Sequence, residues 1–338
     1  MSALYFKQKL GNSKIFHKFL QFLPGCFLLK LHPLEYLMIE PTNICNLSCL
    51  LCTQYLSKRP KGVMTAEIFN KILPLLPDSI KEIQLHLAGE SLLNKDLPLI
   101  IQSLKNRGFK KVALSSNGTS SFDSYEKIIK AGLDELVISL DGATKEIYDK
   151  YQRGGDFEKV LENTKKISNI SDRKTRIVIQ FVVMKHNESQ IGIIKNLSEE
   201  LGVDELWLKS ASLNISSSDI LKQDIIENAG RFLPKNQKFS RYVFNNEKIE
   251  VKDKPLICPW VFRTAILWNG DVSVCCADFD GQALVGNILE EGSFKKIWRS
   301  KRYHEFRKKV LKRDLNICRN CNVGDNPVVE VIKFSKKK

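Results

Sequence analysis

Eight of the nine cysteines fall into two groups. Cys45, Cys49 and Cys52 follow one another as Cys-x3-Cys-x2-Cys. Far downstream, Cys258, Gly270 and Cys275 stand as Cys-x11-Gly-x4-Cys, with Cys276 adjoining, and a Cys318-x2-Cys321 pair follows. Thiolates are soft ligands suited to iron–sulfur chemistry, and three on one short loop can wrap a four-iron cluster while leaving one iron open. Zinc at the first group would need a fourth ligand, and no His lies near it in sequence. A disulfide scaffold is excluded by the length of the chain, the odd number of cysteines and the lack of a signal-peptide pattern at MSALYFKQKLGNSK. The pattern predicts metal or iron–sulfur sites in a reducing compartment, hence the cytoplasm. Cys26, beside Pro24-Gly25, reads as a buried small hydrophobe.

Alternating strand and helix patterns must position the first group. Strands are expected at Tyr36–Glu40, Lys81–Leu87, Lys111–Ser115, Glu135–Leu140, Thr175–Met184 and Glu205–Lys209. Helices are expected at Thr65–Leu76 (capped by Thr65), Leu97–Arg107, Ser121–Ala131, Thr144–Lys150, Phe157–Ile167 and Ser189–Leu201. Such alternation implies parallel strands with helical crossovers, and six units suit a partial (β/α)6 TIM-like barrel. Cys45–Cys52 then lie after the first strand, on the face where barrels carry their chemistry. No glycine-rich phosphate fingerprint follows that strand. Residues 211–257, rich in Ser, Asn, Asp and Lys, read as a connecting segment with one helix at Asp219–Phe232. Asn269-Gly270 between Ala265–Trp268 and Val272–Cys275 signals a hairpin, and Ser293–Leu311 a basic amphipathic helix. The expected organisation is an N-terminal helical extension (1–35), an α/β core (36–210), the connecting segment (211–257) and a small hairpin-plus-helix cluster-binding domain with a basic tail (258–338).

The net charge of the 338-residue chain is +15; fifteen Lys or Arg against five Asp or Glu lie within 291–338. A basic tail can meet nucleic acid or an anionic surface, but a solvated helix explains it equally. Lys14–Leu23 places Ile15, Phe16, Phe19, Leu20 and Leu23 at helical spacing, a pattern compatible with peripheral membrane contact or with packing on the body of the protein. No apolar run reaches the length of a bilayer span.

Further motifs stand at the ends of successive strands: His86-Leu-Ala88-Gly89-Glu90-Ser91, Ser116-Asn117-Gly118, Ser139-Leu-Asp141-Gly142 with Arg153-Gly-Gly downstream, and Gln180-Phe-Val-Val-Met. Together with the cysteine triplet, this order over roughly residues 36–210 resembles the radical S-adenosylmethionine (radical SAM) superfamily. Ala88 and Ser91 depart from its Gly-Gly-Glu-Pro pattern, and Leu51 stands where an aromatic residue often precedes the third cysteine. The resemblance implies that Cys45, Cys49 and Cys52 hold a [4Fe-4S] cluster whose open iron binds S-adenosylmethionine. It implies that Glu90 meets the amino group of that molecule, with Ala88 and Gly89 beside it, and that Ser139 and Arg153 meet its carboxylate or ribose near Asn117. Asp141 and Gln180 complete the expected cofactor-binding set. Alternation puts Ser139 and Asp141 on one strand face, and Gln180 with Val178 and Val182 on another; simple turn-capping by Ser139 and Asn117 is the alternative.

The downstream group resembles the SPASM or twitch extension of these enzymes, which implies an auxiliary [4Fe-4S] cluster on Cys258, Cys275, Cys318 and Cys321. Cys276 remains an alternative to Cys275, and a structural zinc an alternative to the cluster. Neighbours on a strand point to opposite faces, so Cys276 is expected at the barrel mouth or the domain interface, with Asp278 two residues on. Cys276, His86 and Lys209 are candidate catalytic residues, Lys209 for an anionic substrate group and His86 equally for a structural role. The implied function is a radical SAM oxidoreductase. It cleaves S-adenosylmethionine reductively to a 5′-deoxyadenosyl radical, abstracts a substrate hydrogen and passes an electron to the auxiliary cluster. Its expected substrate is a small sugar-like or lipid-pathway molecule; a peptide- or protein-modifying maturase is the alternative, weakened by the mere 35 residues before the first strand. The implied partners are that substrate and an electron donor such as flavodoxin or ferredoxin, with no nucleic acid.

Overall fold

The computed structural model describes residues 33–52, 54, 57–213, 222–244, 249–252, 258–319, 321 and 327–335. The expected Lys14–Leu23 helix, Cys26 and the terminal lysines lie outside them. Six parallel strands, β1 (Tyr36–Ile39), β2 (Glu82–Gln84), β3 (Lys111–Ser116), β4 (Glu135–Ser139), β5 (Arg176–Val183) and β6 (Glu205–Ser210), pair in sequential order. Helices Ala66–Ile72, Leu97–Asn106, Phe122–Lys130, Phe157–Ser168 and Ile191–Glu200 make the crossovers. Thr65 caps the first of these, its hydroxyl accepting from the Ile68 amide. The fold is the expected α/β arrangement around a parallel sheet that stays open among the described residues.

Strand alternation explains how one sheet serves both core and site. On β5, Ile177, Ile179, Phe181 and Val183 join the buried core under the helices, each such side chain contributing roughly 1.5–3 kcal/mol. Their alternates Arg176, Val178, Gln180 and Val182 share the inner face. At its lower end charges pair: Arg176 contacts Glu135 and, at 2.9 Å, Glu205, while Lys111 lies 3.3 Å from Glu82 and 3.5 Å from Glu135. Towards the upper end the inward residues include the polar, partly exposed Ser139, Gln180 and Lys209.

A small antiparallel ribbon forms in the connecting segment, β7 (Tyr242–Phe244) with β8 (Ile249–Val251), after a helix at Lys222–Phe232. The hairpin around Asn269-Gly270 is present as β9 (Arg263–Ile266) and β10 (Asp271–Ser273), with β11 (Leu284–Asn287) beside it. β9 pairs in parallel with β1, so the hairpin continues the central sheet. At the opposite edge β12 (Val328–Lys333) pairs antiparallel with β6, giving a ten-stranded sheet. The single basic helix expected over Ser293–Leu311 is two helices, Phe294–Arg299 and Lys301–Lys312. Ser300 adopts an extended backbone and caps the second helix through the Tyr303 amide. The break brings Trp298 and Tyr303 to 4.9 Å and lets the buried Arg307 lie 4.0 and 3.8 Å over their rings. The amphipathic spacing survives the break, which is why periodicity alone reads as one helix.

The first cysteine loop is tied to the downstream region by a buried ion pair. Arg59 meets Glu40 bidentately at 2.9 and 2.6 Å, and its Nε donates to the Phe279 carbonyl at 2.7 Å. Ser57 Oγ donates to the same carbonyl and the Lys58 amide to Asp280. Removing one partner leaves a buried charge unpaired, which costs roughly 3–5 kcal/mol. Arg59→Ala should therefore lower unfolding free energy by about that amount in anaerobic urea titration, and Glu40→Gln/Arg59→Met should recover part of it. A change in Arg59→Ala no larger than that of an exposed Lys→Ala would remove the pair from the interface.

Candidate functional site

Three loops at the upper end of the sheet are knitted around the first cysteines. Cys45 and Cys49 are half-buried and Cys52 is exposed. Burial pushes all three thiols up, most strongly Cys49, and the neighbouring Cys52 adds to the rise at Cys45 and Cys49. The loop after β2 lies against this segment: the Glu90 amide donates to the Ile44 carbonyl at 2.8 Å. Gly89 has φ +78°, and a Cβ there would meet the Ile44 and Thr42 carbonyl oxygens at 2.6 Å. Only glycine permits this approach. The buried Glu90 carboxylate accepts from the Asn117 amide at 2.7 Å and the Leu92 amide at 3.2 Å. Asn117 in turn donates to Asn46 at 2.9 Å, so the β3 loop holds the cysteine loop directly.

The strands on the far side contribute a polar relay. Lys209 Nζ donates to Gln180 Oε1 at 2.6 Å, and Gln180 Nε2 to Ser139 Oγ at 3.5 Å. Burial, then the charge of Arg241, depresses the Lys209 ammonium to about 8, against the pull of Asp141. Asp141 is pushed up to about 7 by burial; its carboxylate accepts from the Val182 amide, and its carbonyl from Asn187. Burial and the Lys209 charge hold His86 down at about 4, which leaves it neutral at pH 7, and its shielded Nδ1 has no hydrogen-bond partner. Arg153 is exposed, while its carbonyl accepts from the Ser48 amide.

A cavity of about 460 Å³ connects these parts. Cys45, Cys52, Ala88 and Gly89 line it together with Lys209 and Cys276. Of the other expected residues, Cys49, Glu90, Asn117, Ser139, Asp141, Gln180, Arg153 and His86 lie outside its wall, several of them tying together the loops that form it. Gln54, Tyr151, Ser212 and Arg241 line it without having been singled out in the sequence. Tyr151 stands two residues before the Arg153 motif and was within reach of that signal; Arg241 lies in unpatterned sequence and carried none.

The second group gathers beside this cavity. Burial pushes Cys258 and Cys318 up to about 12, and for both the next contribution is Cys275, with Cys321 also in reach. Cys275 is raised well above the usual thiol range, first by its contact with Cys276 and then by burial. β10 ends at Ser273, so Cys275 and Cys276 occupy a turn, and the two-face argument for a strand does not hold there. The turn nonetheless leaves Cys276 on the cavity wall. Asp278 is buried and accepts from Ser273 Oγ and the Gln282 and Ala283 amides, which shapes that turn. Among the described residues no three His, Cys, Asp or Glu side chains form a site for a single metal ion. The soft donor sets, the Cys45, Cys49 and Cys52 loop with two of its thiols on the cavity wall and the four thiols beside it, fit iron–sulfur clusters.

Residues 39–196 match the family model of the radical SAM superfamily, and residues 258–322 that of the SPASM iron-sulfur cluster-binding domain. The chain belongs to the radical SAM superfamily. The cofactors that go with these two domains are [4Fe-4S] clusters and S-adenosylmethionine, and the protein is an iron–sulfur enzyme. Proteins named probable GTP 3′,8-cyclase from Sulfurisphaera tokodaii and Methanocaldococcus jannaschii are 26% identical over 270 residues and 28% over 280. Each alignment covers 76% of this chain, and 85% and 89% of the relative. Among solved structures, BtrN in complex with AdoMet and 2-DOIA superposes with TM-score 0.56 at 16% identity, covering 88% of this radical SAM chain and 98% of BtrN. Streptococcus suis SuiB bound to precursor peptide SuiA gives 0.62 at 16%, covering 89% and 74%. These likenesses concern the fold. No helix among the described residues is long and apolar enough to cross a membrane.

Proposed function

We propose that the chain is a radical SAM oxidoreductase acting on a small molecule, with Cys45, Cys49 and Cys52 holding the S-adenosylmethionine-binding cluster and Cys258, Cys275, Cys318 and Cys321 the auxiliary one. The observation that carries this reading is the cavity that runs from Cys45, Cys52 and Ala88-Gly89 to Lys209 and Cys276, beside the four-thiol set. Its volume falls within the roughly 300–1,000 Å³ of small-molecule sites. When bound, the triplet's cluster and S-adenosylmethionine would supply a hydrogen-abstracting alkyl radical, given an electron from a flavodoxin- or ferredoxin-like donor.

The chain's own residues position and enclose. Gly89 lets the β2 loop close on the cysteine loop, and Glu90 fixes the β3 loop while keeping lone pairs for an ammonium group. Tyr151, Leu51 and Val182 give the cavity an apolar wall. Asn117, Ser139, Gln180, Asp141 and Arg153 support that wall from behind or from its edge. His86 stays neutral near Lys209 behind the wall, with its Nδ1 unpartnered. Dehydrogenation removes a hydrogen atom, a proton and an electron. Four protein thiols on the auxiliary cluster leave no iron open to substrate, and such a group suits the electron. The test is anaerobic turnover after reconstitution. 5′-Deoxyadenosine should form, and the oxidised product should lack two hydrogens. An isomer of the substrate with unchanged mass would overturn the oxidoreductase reading.

The names of the relatives support a second reading, in which GTP is cyclised. GTP incubated with the reduced enzyme would then give such an isomer, and none is expected here.

A further inference from the structure

We propose that Arg241 and Lys209 form an anion-binding subsite for the substrate, so that the small molecule carries a phosphate or carboxylate group. This rests on the reading of the cavity as the substrate site. Both side chains line the cavity, and among the described residues no Asp or Glu lines it. Arg241 Nε donates to Ser210 Oγ at 3.0 Å and Nη2 to the Ser210 carbonyl at 3.3 Å. Among the described residues no carboxylate pairs with it. These contacts hold the guanidinium by one edge and leave Nη1 without a protein partner among them. A planar fork held in this way matches a phosphate or carboxylate in two-point contact. Lys209 is steadied by Gln180 and leaves two of its three N–H donors for a ligand. Ser210 and Ser212 add hydroxyls to the same stretch of wall.

Two half-buried cations on one cavity, with the charge of Arg241 depressing Lys209 and burial depressing Arg241, need a reason to stand together. Asp141 compensates Lys209 only at a distance, since its carboxylate bonds the Val182 amide. S-adenosylmethionine does not supply that reason, because the subsite belongs to the β6 end and the connecting segment. Arg241 lies within electrostatic reach of Cys321, on the side of the second cysteine group, whereas the expected cofactor partners, from Ala88 to Gln180, belong to β2–β5 and the loops after them and meet the subsite through the Gln180–Lys209 bond. The competing account is that Arg241 only offsets charge at the auxiliary cluster.

The experiment titrates the reconstituted holoenzyme, with S-adenosylmethionine present, by anaerobic calorimetry. The probes are inorganic pyrophosphate and malonate. Pyrophosphate binding tighter than malonate assigns a phosphoryl group, and the reverse a carboxylate. Arg241→Gln and Lys209→Gln should each weaken the better probe at least tenfold, while Arg241→Lys should weaken it less. Iron content and the auxiliary cluster potential are measured on the same samples as controls for folding. If neither probe binds the parent protein, or if Arg241→Gln shifts the cluster potential yet binds both probes as the parent does, the subsite is disproved. Parent protein that binds a probe in an Arg241-dependent way but forms no 5′-deoxyadenosine would overturn the proposed function and leave the anion subsite standing.

Discussion

Replacing Cys45, Cys49 and Cys52 together by alanine is expected to halve the iron content and abolish reductive cleavage of S-adenosylmethionine. Two four-iron clusters hold about eight irons, so about four should remain. The remaining four are expected on thiols of other elements, since Cys258 precedes β9, Cys318 lies in the short last helix Asn316–Arg319 and Cys321 follows it. The effect on chemistry should be complete, because no other group lining the cavity can deliver an electron to a bound sulfonium. Fold should survive: Thr42 Oγ1 still donates to the Gly62 carbonyl, Asn43 Nδ2 to the Pro60 carbonyl and the Glu90 amide to the Ile44 carbonyl. Circular dichroism and iron analysis on the same sample separate the two effects. An intact protein that binds only one cluster, or a triple variant that keeps all its iron, would sink the assignment of two cluster sites.

The cysteine triplet and the strand-end motifs were legible because their geometry is local. A Cys-x3-Cys-x2-Cys spacing, a Thr65 cap or the alternation along β5 needs only a few residues to define it. The fold class followed from the same local periods. What could not be read depends on contacts between distant residues. β9 docks on β1 across more than two hundred positions, and β12 returns to β6 after the cysteine pair; neither strand carries a signal for its partner. Arg59 bridges Glu40 to Phe279 for the same reason. Arg241 is the instructive case. Its meaning comes from lining one cavity with Lys209, and the polar segment that carries it looks like any linker. Asp141 shows the converse: a motif residue identified from sequence whose carboxylate is spent on the Val182 amide behind the wall.

The adjacent thiols at Cys275 and Cys276 offer the sharpest division of roles. Cys275→Ser should lose about four irons, and Cys276→Ser should keep all of about eight. Cys275 stands out as the next charge felt by both Cys258 and Cys318, whereas Cys276 has no such influence on either. Cys275 Sγ also accepts from the Ala277 amide at 3.4 Å, a contact that favours the thiolate a metal needs. Cys276 lines the cavity with Lys209 and Arg241. A free thiol there is placed to touch substrate, so Cys276→Ser should still cleave S-adenosylmethionine but yield less product or a different one. Serine keeps the size and a hydroxyl proton but is a far weaker acid and hydrogen-atom donor. A change in product with unchanged iron would therefore point to the sulfur itself. If Cys276→Ser loses the iron and Cys275→Ser keeps it, the ligand assignment reverses, and the cavity wall loses its thiol to the auxiliary cluster.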